Sequence, residues 1–324
     1  MTGAPGAAVA PRSARLGLLE VCAAGVLWGT GGLVLTVLHE RDGLGAMTVS
    51  AWRMGLAAIA LLAFTAVTGR FGAVRETMRA HPVLAVLVGC GTALYQGLYF
   101  VSVLLVGVSV STVVSLGLAP ILAALWEHAT ARTRPTRREI AVLAAALTGL
   151  VLITVTAGHG TGGPGDRPIL GLLLAVAAGA TYAATTVLGH TLAQRVDAIG
   201  LTTCGTVAGA LLLAPFLGVA AATGQPVLPG DAVSLLLLVY LGVATMALAY
   251  GLLYAGLRTT SGSAATVATL VEPLSAALLA ALLLGERLTW LGLLGGALIL
   301  AAVVALRPIE DTGMATVRPS RVTR

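Results

Sequence analysis

Long apolar runs, separated by short polar or glycine-rich gaps, fill almost the whole chain. Ten runs stand out, at 16–37, 47–68, 82–104, 109–128, 138–156, 169–189, 199–222, 232–257, 262–283 and 288–306. Each is near the ~20 residues that a helix needs to cross a bilayer core. The runs are unbroken, whereas a membrane barrel would show short alternating strands. The third and fourth runs are separated only by a gap around Gly107, so counting two helices there requires a tight turn. The pattern predicts an all-α membrane protein with ten transmembrane helices. Residues 1–15 and 307–324 read as cytoplasmic tails.

The longest gap, the Gly- and Pro-rich loop 157–168, lies at the midpoint of the chain. Gly17-Leu-Leu-Glu-Val-Cys-Ala-Ala-Gly25 aligns with Gly171-Leu-Leu-Leu-Ala-Val-Ala-Ala-Gly179 at an offset of 154, and Leu118-Ala119-Pro120 aligns with Val271-Glu272-Pro273 at an offset of 153. The stable offset and the aligned prolines imply two homologous halves, 16–156 and 169–306. Each half holds five runs. Because five is odd, the second copy enters from the opposite side, giving the inverted repeats common among secondary transporters.

Composition agrees: 57% of residues are hydrophobic and 10% are charged, with a mean hydropathy of +0.97. A water-soluble globular chain is about a quarter charged. The net charge is +6, yet no basic stripe interleaved with aromatics appears, so nucleic acid is not an expected partner. All 19 basic residues are arginine. With the N-terminus inside, fifteen of them fall in cytoplasmic segments, against three outside (Arg41, Arg167 and Arg287) and Arg53 within a run. The positive-inside rule then puts both termini in the cytoplasm, and the expected location is the plasma membrane of a prokaryote. The first apolar run is too long for a signal-peptide core and reads as an uncleaved helix. Cys22, Cys90 and Cys204 lie far apart within apolar runs and read as small packing residues.

Against this background Glu272 is the first candidate for chemistry. A charged residue at the centre of a membrane helix costs ~2.5–3.5 kcal/mol, and its default reading is functional. Pro273 withholds an amide and disturbs the carbonyl of Thr269, which suits the wall of a cavity. Substrate or proton binding competes here with a static polar contact between helices. Arg53 is the only basic residue inside a run; it is either an anchor for a carboxylate or a side chain snorkelling to the interface. Trp28, Tyr95, Gln96, Tyr99, Tyr182, Tyr250 and Tyr254 complete the set. Tyr95 and Tyr99 share a helix face, as do Tyr250 and Tyr254, and such faces line a cavity or pack helices. Gln96 is the strongest polar member. Pro120 and Pro273, at equivalent positions, are hinge candidates or passive kinks. Gly25/Gly29 and Gly292/Gly296 have the spacing of close helix packing. Glu20 and Glu127, near the ends of their runs, can snorkel to the interface.

No GxSxG, HExxH, phosphate-binding loop or paired-carboxylate motif is present, and no histidine lies deep in a run beside a serine. The expectation is a protein that is not an enzyme, with no metal, no cofactor and no nucleotide to drive a pump. Leu27-Trp28-Gly29 stands in the first run and Arg53 in the second. Pro273 is followed after twelve residues by Glu286-Arg287-Leu288-Thr289, and then by a Gly-rich last run. In that order, over residues 16–306, these features resemble the EamA-type proteins of the drug/metabolite transporter superfamily. The first half departs from the pattern: Thr133-Arg134-Pro135-Thr136 replaces the Glu-Arg-Leu-Thr hinge, Tyr182 stands for Trp28, and Ala119 stands for Glu272. The resemblance implies alternating-access movement of a small organic solute, often export of amino acids or related metabolites. The lipid bilayer is the other partner, protons are the candidate coupling ion, and a homodimer is compatible with the sequence. A membrane-embedded enzyme such as a lipid-modifying transferase, and a non-transporting sensor or assembly partner, are the competing classes.

Overall fold

A computed structural model describes residues 14–156, 167–283 and 289–306, and among these the only regular structure is helical. The chain order is α1 (Ala14–Asp42), α2 (Ala46–Val67), α3 (Phe71–Ala80), α4 (Pro82–Ala131), α5 (Arg137–Thr156), α6 (Pro168–Ala193) and α7 (Ala198–Ala222). It continues with α8 (Ala232–Gly242), a π-helical stretch (Val243–Leu248), α9 (Ala249–Gly256), α10 (Gly262–Ala268), α11 (Val271–Leu283) and α12 (Trp290–Ala305). Nine stretches of the described residues are long and apolar enough to cross a membrane, while Trp290–Ala305, at 16 residues, is shorter. The tails, most of the midpoint loop and the Glu286-Arg287 hinge lie outside the described residues.

The helices are apolar on their outer faces as well as on their inner ones. Val67, Ile169 and Leu282 are among the large apolar side chains that face outward, while alanines, serines, threonines and glycines fill much of the interior. Lipid tails are as apolar as leucine, so helices in a membrane gain by close approach of small residues. The helix ends carry conventional caps. Asp197 accepts from the Ile199 amide at 2.9 Å, and Asp231 from the Ser234 amide at 2.7 Å. Thr136 and Glu139 form a reciprocal capping box at the start of α5. Thr289 caps α12 through the Gly292 amide at 3.1 Å.

Four features refine the expectation from the sequence. First, α4 is helical over 50 residues, yet Ser102 and Ser111 share a hydrogen bond of 2.8 Å, as do Tyr99 and Thr112. A straight helix would hold these pairs about 13 and 20 Å apart. The helix therefore doubles back between Ser102 and Val110, giving two spans, Pro82–Ser102 and Val110–Ala131. Second, the run 262–283 is not one helix. It breaks between α10 and α11, because Pro273 has no amide for the Thr269 carbonyl, which instead accepts from Glu272 N at 2.9 Å. Glu272 thus sits in the first turn of α11, not midway along an unbroken helix. Pro120, by contrast, is carried inside α4. Third, the run 232–257 passes through the π-helical stretch. Fourth, the basic connection after α2 folds as the helix α3, held by Gly200 against Ala73 and Thr77 and by the Arg70–Asp197 ion pair at 3.2 Å.

Contacts between the two halves come in matched pairs. Gly17 abuts Thr259, and Gly171, 154 positions later, abuts Val106. Gly25 abuts Thr269, and Gly179 abuts Ser115. The ring of Trp28 packs on Tyr250 at 5.0 Å, and that of Tyr182 on Tyr95 at 4.9 Å. In each pair a first-helix residue of one half meets the same region of the other half.

Candidate functional site

A cavity of about 160 Å³ opens between α1, α2, α4, α6, α8, α9 and α11. Its wall includes eight of the residues singled out from sequence: Trp28, Arg53, Tyr95, Gln96, Tyr99, Tyr182, Tyr250 and Glu272. Tyr254 is not among them. It is buried next to the wall, its ring 6.0 Å from Tyr250 and against Gly189.

The polar groups of the wall divide into those already engaged and those still available. The Trp28 indole N–H donates to the Thr245 carbonyl at 2.9 Å, and Arg53 Nη2 donates to the same oxygen at 3.0 Å. Thr245 lies in the π-helical stretch; a π turn shifts the backbone ladder by one residue, which suits a carbonyl to outside donors. Tyr182 is bonded to Thr269 at 3.0 Å and Tyr99 to Thr112. Trp28, Tyr99 and Tyr182 thus serve mainly as walls. Arg53 Nε and both head atoms of Gln96 are sealed from solvent with no partner among the described residues. Glu272 is half-buried on the cavity wall and lies within electrostatic reach of Arg53. The ion pairs described elsewhere join Arg41 to Asp231, Arg70 to Asp197 and His128 to Glu139, not Arg53 to Glu272. An available cation and an available anion therefore share one small space.

Glu272 is positioned by glycine. A Cβ on Gly29 would fall 2.0 Å from Ser275 Oγ and 2.6 Å from the Glu272 carbonyl, so α1 and α11 touch along their backbones. Gly296 is also tightly packed, against Leu274. Sequence reasoning passed over Ser50, Phe100 and the Gly31-Gly32 pair, which also line the cavity. Helical spacing from known members would have found two of them, since Ser50 precedes Arg53 by three residues and Phe100 follows Gln96 by four. The role of the Thr245 carbonyl has no signal in side-chain chemistry.

The lining is drawn from the halves of α1 and α2 nearer their connection. The opposite end is packed shut. There Gly17 meets Gly256 and Thr259, and Gln194 donates to the Leu257 carbonyl at 2.7 Å. Glu127, read from sequence as a snorkelling residue, accepts from the Ser263 amide at 2.9 Å and from its hydroxyl. Among the described residues no group of three or more His, Cys, Asp or Glu is placed to hold a metal ion.

The profile of the EamA-like transporter family matches residues 15–155 and again 169–307. The chain is 28% identical over 278 residues to the uncharacterized transporter YwfM of Bacillus subtilis (strain 168), covering 85% of this chain and 89% of that one. It is 26% identical over 295 residues to the uncharacterized inner membrane transporter YicL of Salmonella typhimurium, covering 91% and 96%. A solved crystal structure, 20% identical, matches with a TM-score of 0.74 over 89% of this chain and 95% of that chain, a likeness of fold alone.

Proposed function

The chain belongs to the EamA-like transporter family and is a multi-pass membrane transporter; from that premise we propose secondary active transport of a small organic metabolite by alternating access. The substrate is an amino acid or a related zwitterion, and export is the expected direction. The observation that carries this reading is the pairing of Arg53 and Glu272 on one aromatic-walled cavity without an ion pair between them. A carboxylate suits the guanidinium, whose planar fork favours such groups. An ammonium suits Glu272 and the tyrosine and tryptophan faces.

The proposed architecture is ten transmembrane helices in two inverted five-helix repeats, 16–156 and 169–306. The matched contacts Gly17–Thr259 and Gly171–Val106, Gly25–Thr269 and Gly179–Ser115 support it. So do Thr136 and Thr289, which occupy equivalent positions and each cap the last helix of a half. The arginine distribution supports cytoplasmic termini, and the description of the Salmonella relative as an inner membrane transporter supports the cell membrane as its location. In that orientation the cavity lies toward the outside and the Glu127–Ser263 end is the closed cytoplasmic side. The break before Pro273 serves as the hinge.

Glu272 is the proposed coupling residue, because a carboxylate facing a membrane cavity can exchange a proton where Ala119, its counterpart, cannot. Reconstituted protein should show substrate movement driven by a pH gradient, and Glu272→Gln should lose that drive. Unchanged pH dependence in the variant would place coupling elsewhere.

A further inference from the structure

The Gln96 side chain stands apart from the other polar groups on the cavity wall. Trp28, Tyr99 and Tyr182 have spent their polar heads on Thr245, Thr112 and Thr269. Gln96 is only 7% exposed, and its Nε2 and Oε1, each with almost no accessible surface, have no partner among the described residues, so a ligand pairs with them only once the side chain turns toward the cavity. Buried polar groups are almost always hydrogen-bonded, and an exception asks for an explanation. A carboxamide offers two donor hydrogens and an acceptor oxygen in one plane. Its complement is a group that both donates and accepts.

We infer that Gln96 is the specificity-determining residue of the cavity, selecting ligands that carry a hydroxyl or carboxamide beyond their charged ends. The inference rests on the zwitterion reading, in which Arg53 and Glu272 hold the two charges. Gln96 then reads the third substituent. An apolar substituent leaves both amide atoms unpaired in a sealed site, and sites built to hydrogen-bond a ligand reject analogues that lack the group far more strongly than apolar pockets reject extra methylenes. Size narrows the class further. A cavity of about 160 Å³ is close to one that encloses a benzene-sized guest. It fits a small zwitterion.

Two nearly isosteric pairs separate hydrogen bonding from shape: L-threonine against L-valine, and L-asparagine against L-leucine. Binding of each would be measured by calorimetry on the purified full-length protein in lipid nanodiscs. The wild type should bind threonine and asparagine at least about 10-fold more tightly than their apolar partners. Gln96→Met, which keeps the volume and removes donor and acceptor, should bring both ratios close to one. Gln96→Asn, which retracts the amide by one methylene, should leave reduced ratios of the same sign and guards against a misfolded methionine variant. Equal or reversed affinities in the wild type overturn the inference alone, as do undiminished ratios in either variant. If none of the four compounds binds the wild type, the zwitterion reading fails and the role of Gln96 fails with it.

Discussion

A Cβ on Gly29 would fall 2.6 Å from the Glu272 carbonyl oxygen, so α1 and α11 can meet as they do only because that position has none. The Ser275 hydroxyl could rotate away, but the backbone oxygen could not. Gly29→Ala should therefore destabilise the protein by about 1–3 kcal/mol, as overpacking does, and should reduce transport by moving the α11 turn that carries Glu272. Gly55, in α2, has no neighbouring atom within 4 Å of a built Cβ. Gly55→Ala should leave stability unchanged or slightly raised, because alanine favours helix by up to ~1 kcal/mol over glycine. Thermal denaturation in detergent, run beside an uptake assay, distinguishes the two positions. Equal behaviour would show that the α1–α11 contact does not set the position of Glu272. Arg53 makes a similar point: one nitrogen is fixed by the Thr245 carbonyl, which holds the guanidinium at the cavity wall.

Helix ends carry much of the organisation at the next scale. The first turn of α8 is held by Asp231, which caps Ser234 and pairs with Arg41 at the end of α1. The amide of Ser234, and then the nearby Arg41 guanidinium, lower the Asp231 pKa from 3.8 to about 2. A carboxyl depressed in this way adds stability that is fully present above its ordinary value and is lost as pH falls through about 2. Hydrogen exchange at Ser234 should thus speed up in Asp231→Ala at neutral pH, and the difference from wild type should shrink as pH falls toward 2 and vanish below it. A difference that stays undiminished below pH 2 would mean that the loop, not the charged cap, protects α8. The same end is tied by Trp52 to the Val227 carbonyl and by Asp42 to the Gly230 amide, so the α7–α8 connection is fixed over the start of α2. The α10–α11 break has a different basis: a missing amide at Pro273 ends one helix and starts another at the candidate site.

Taken as a whole, the molecule is asymmetric end to end, with a cavity toward the α1–α2 connection and tight packing at the other end. In an alternating-access cycle the packed end must open, and Glu127 with Ser263 is its polar clasp. A disulfide across Glu127→Cys and Ser263→Cys, in a background without Cys22, Cys90 and Cys204, should abolish transport and release it on reduction. Binding at the cavity should survive the crosslink. Transport that continues with the crosslink complete would show that this end does not open. The matched contacts between halves suit such a cycle, because two equivalent arrangements can exchange with little difference in packing.

The sequence by itself determined the membrane-spanning character, because twenty-residue apolar runs have no stable alternative to helix in lipid. It also determined the family, the turn near Gly107 and most of the residues around the cavity, whose side-chain chemistry is exceptional among so many alanines and leucines. The fold decided what depends on backbone partners distant in the chain. It brought the Thr245 carbonyl to Trp28 and Arg53, closed Glu127 onto Ser263 and placed Tyr254 behind the wall instead of on it. It also left the Gln96 amide without a partner among the described residues. Periodicity assigns a residue to a face, but hydrogen-bond satisfaction is set by what the opposite helix offers, and only packing in three dimensions fixes that.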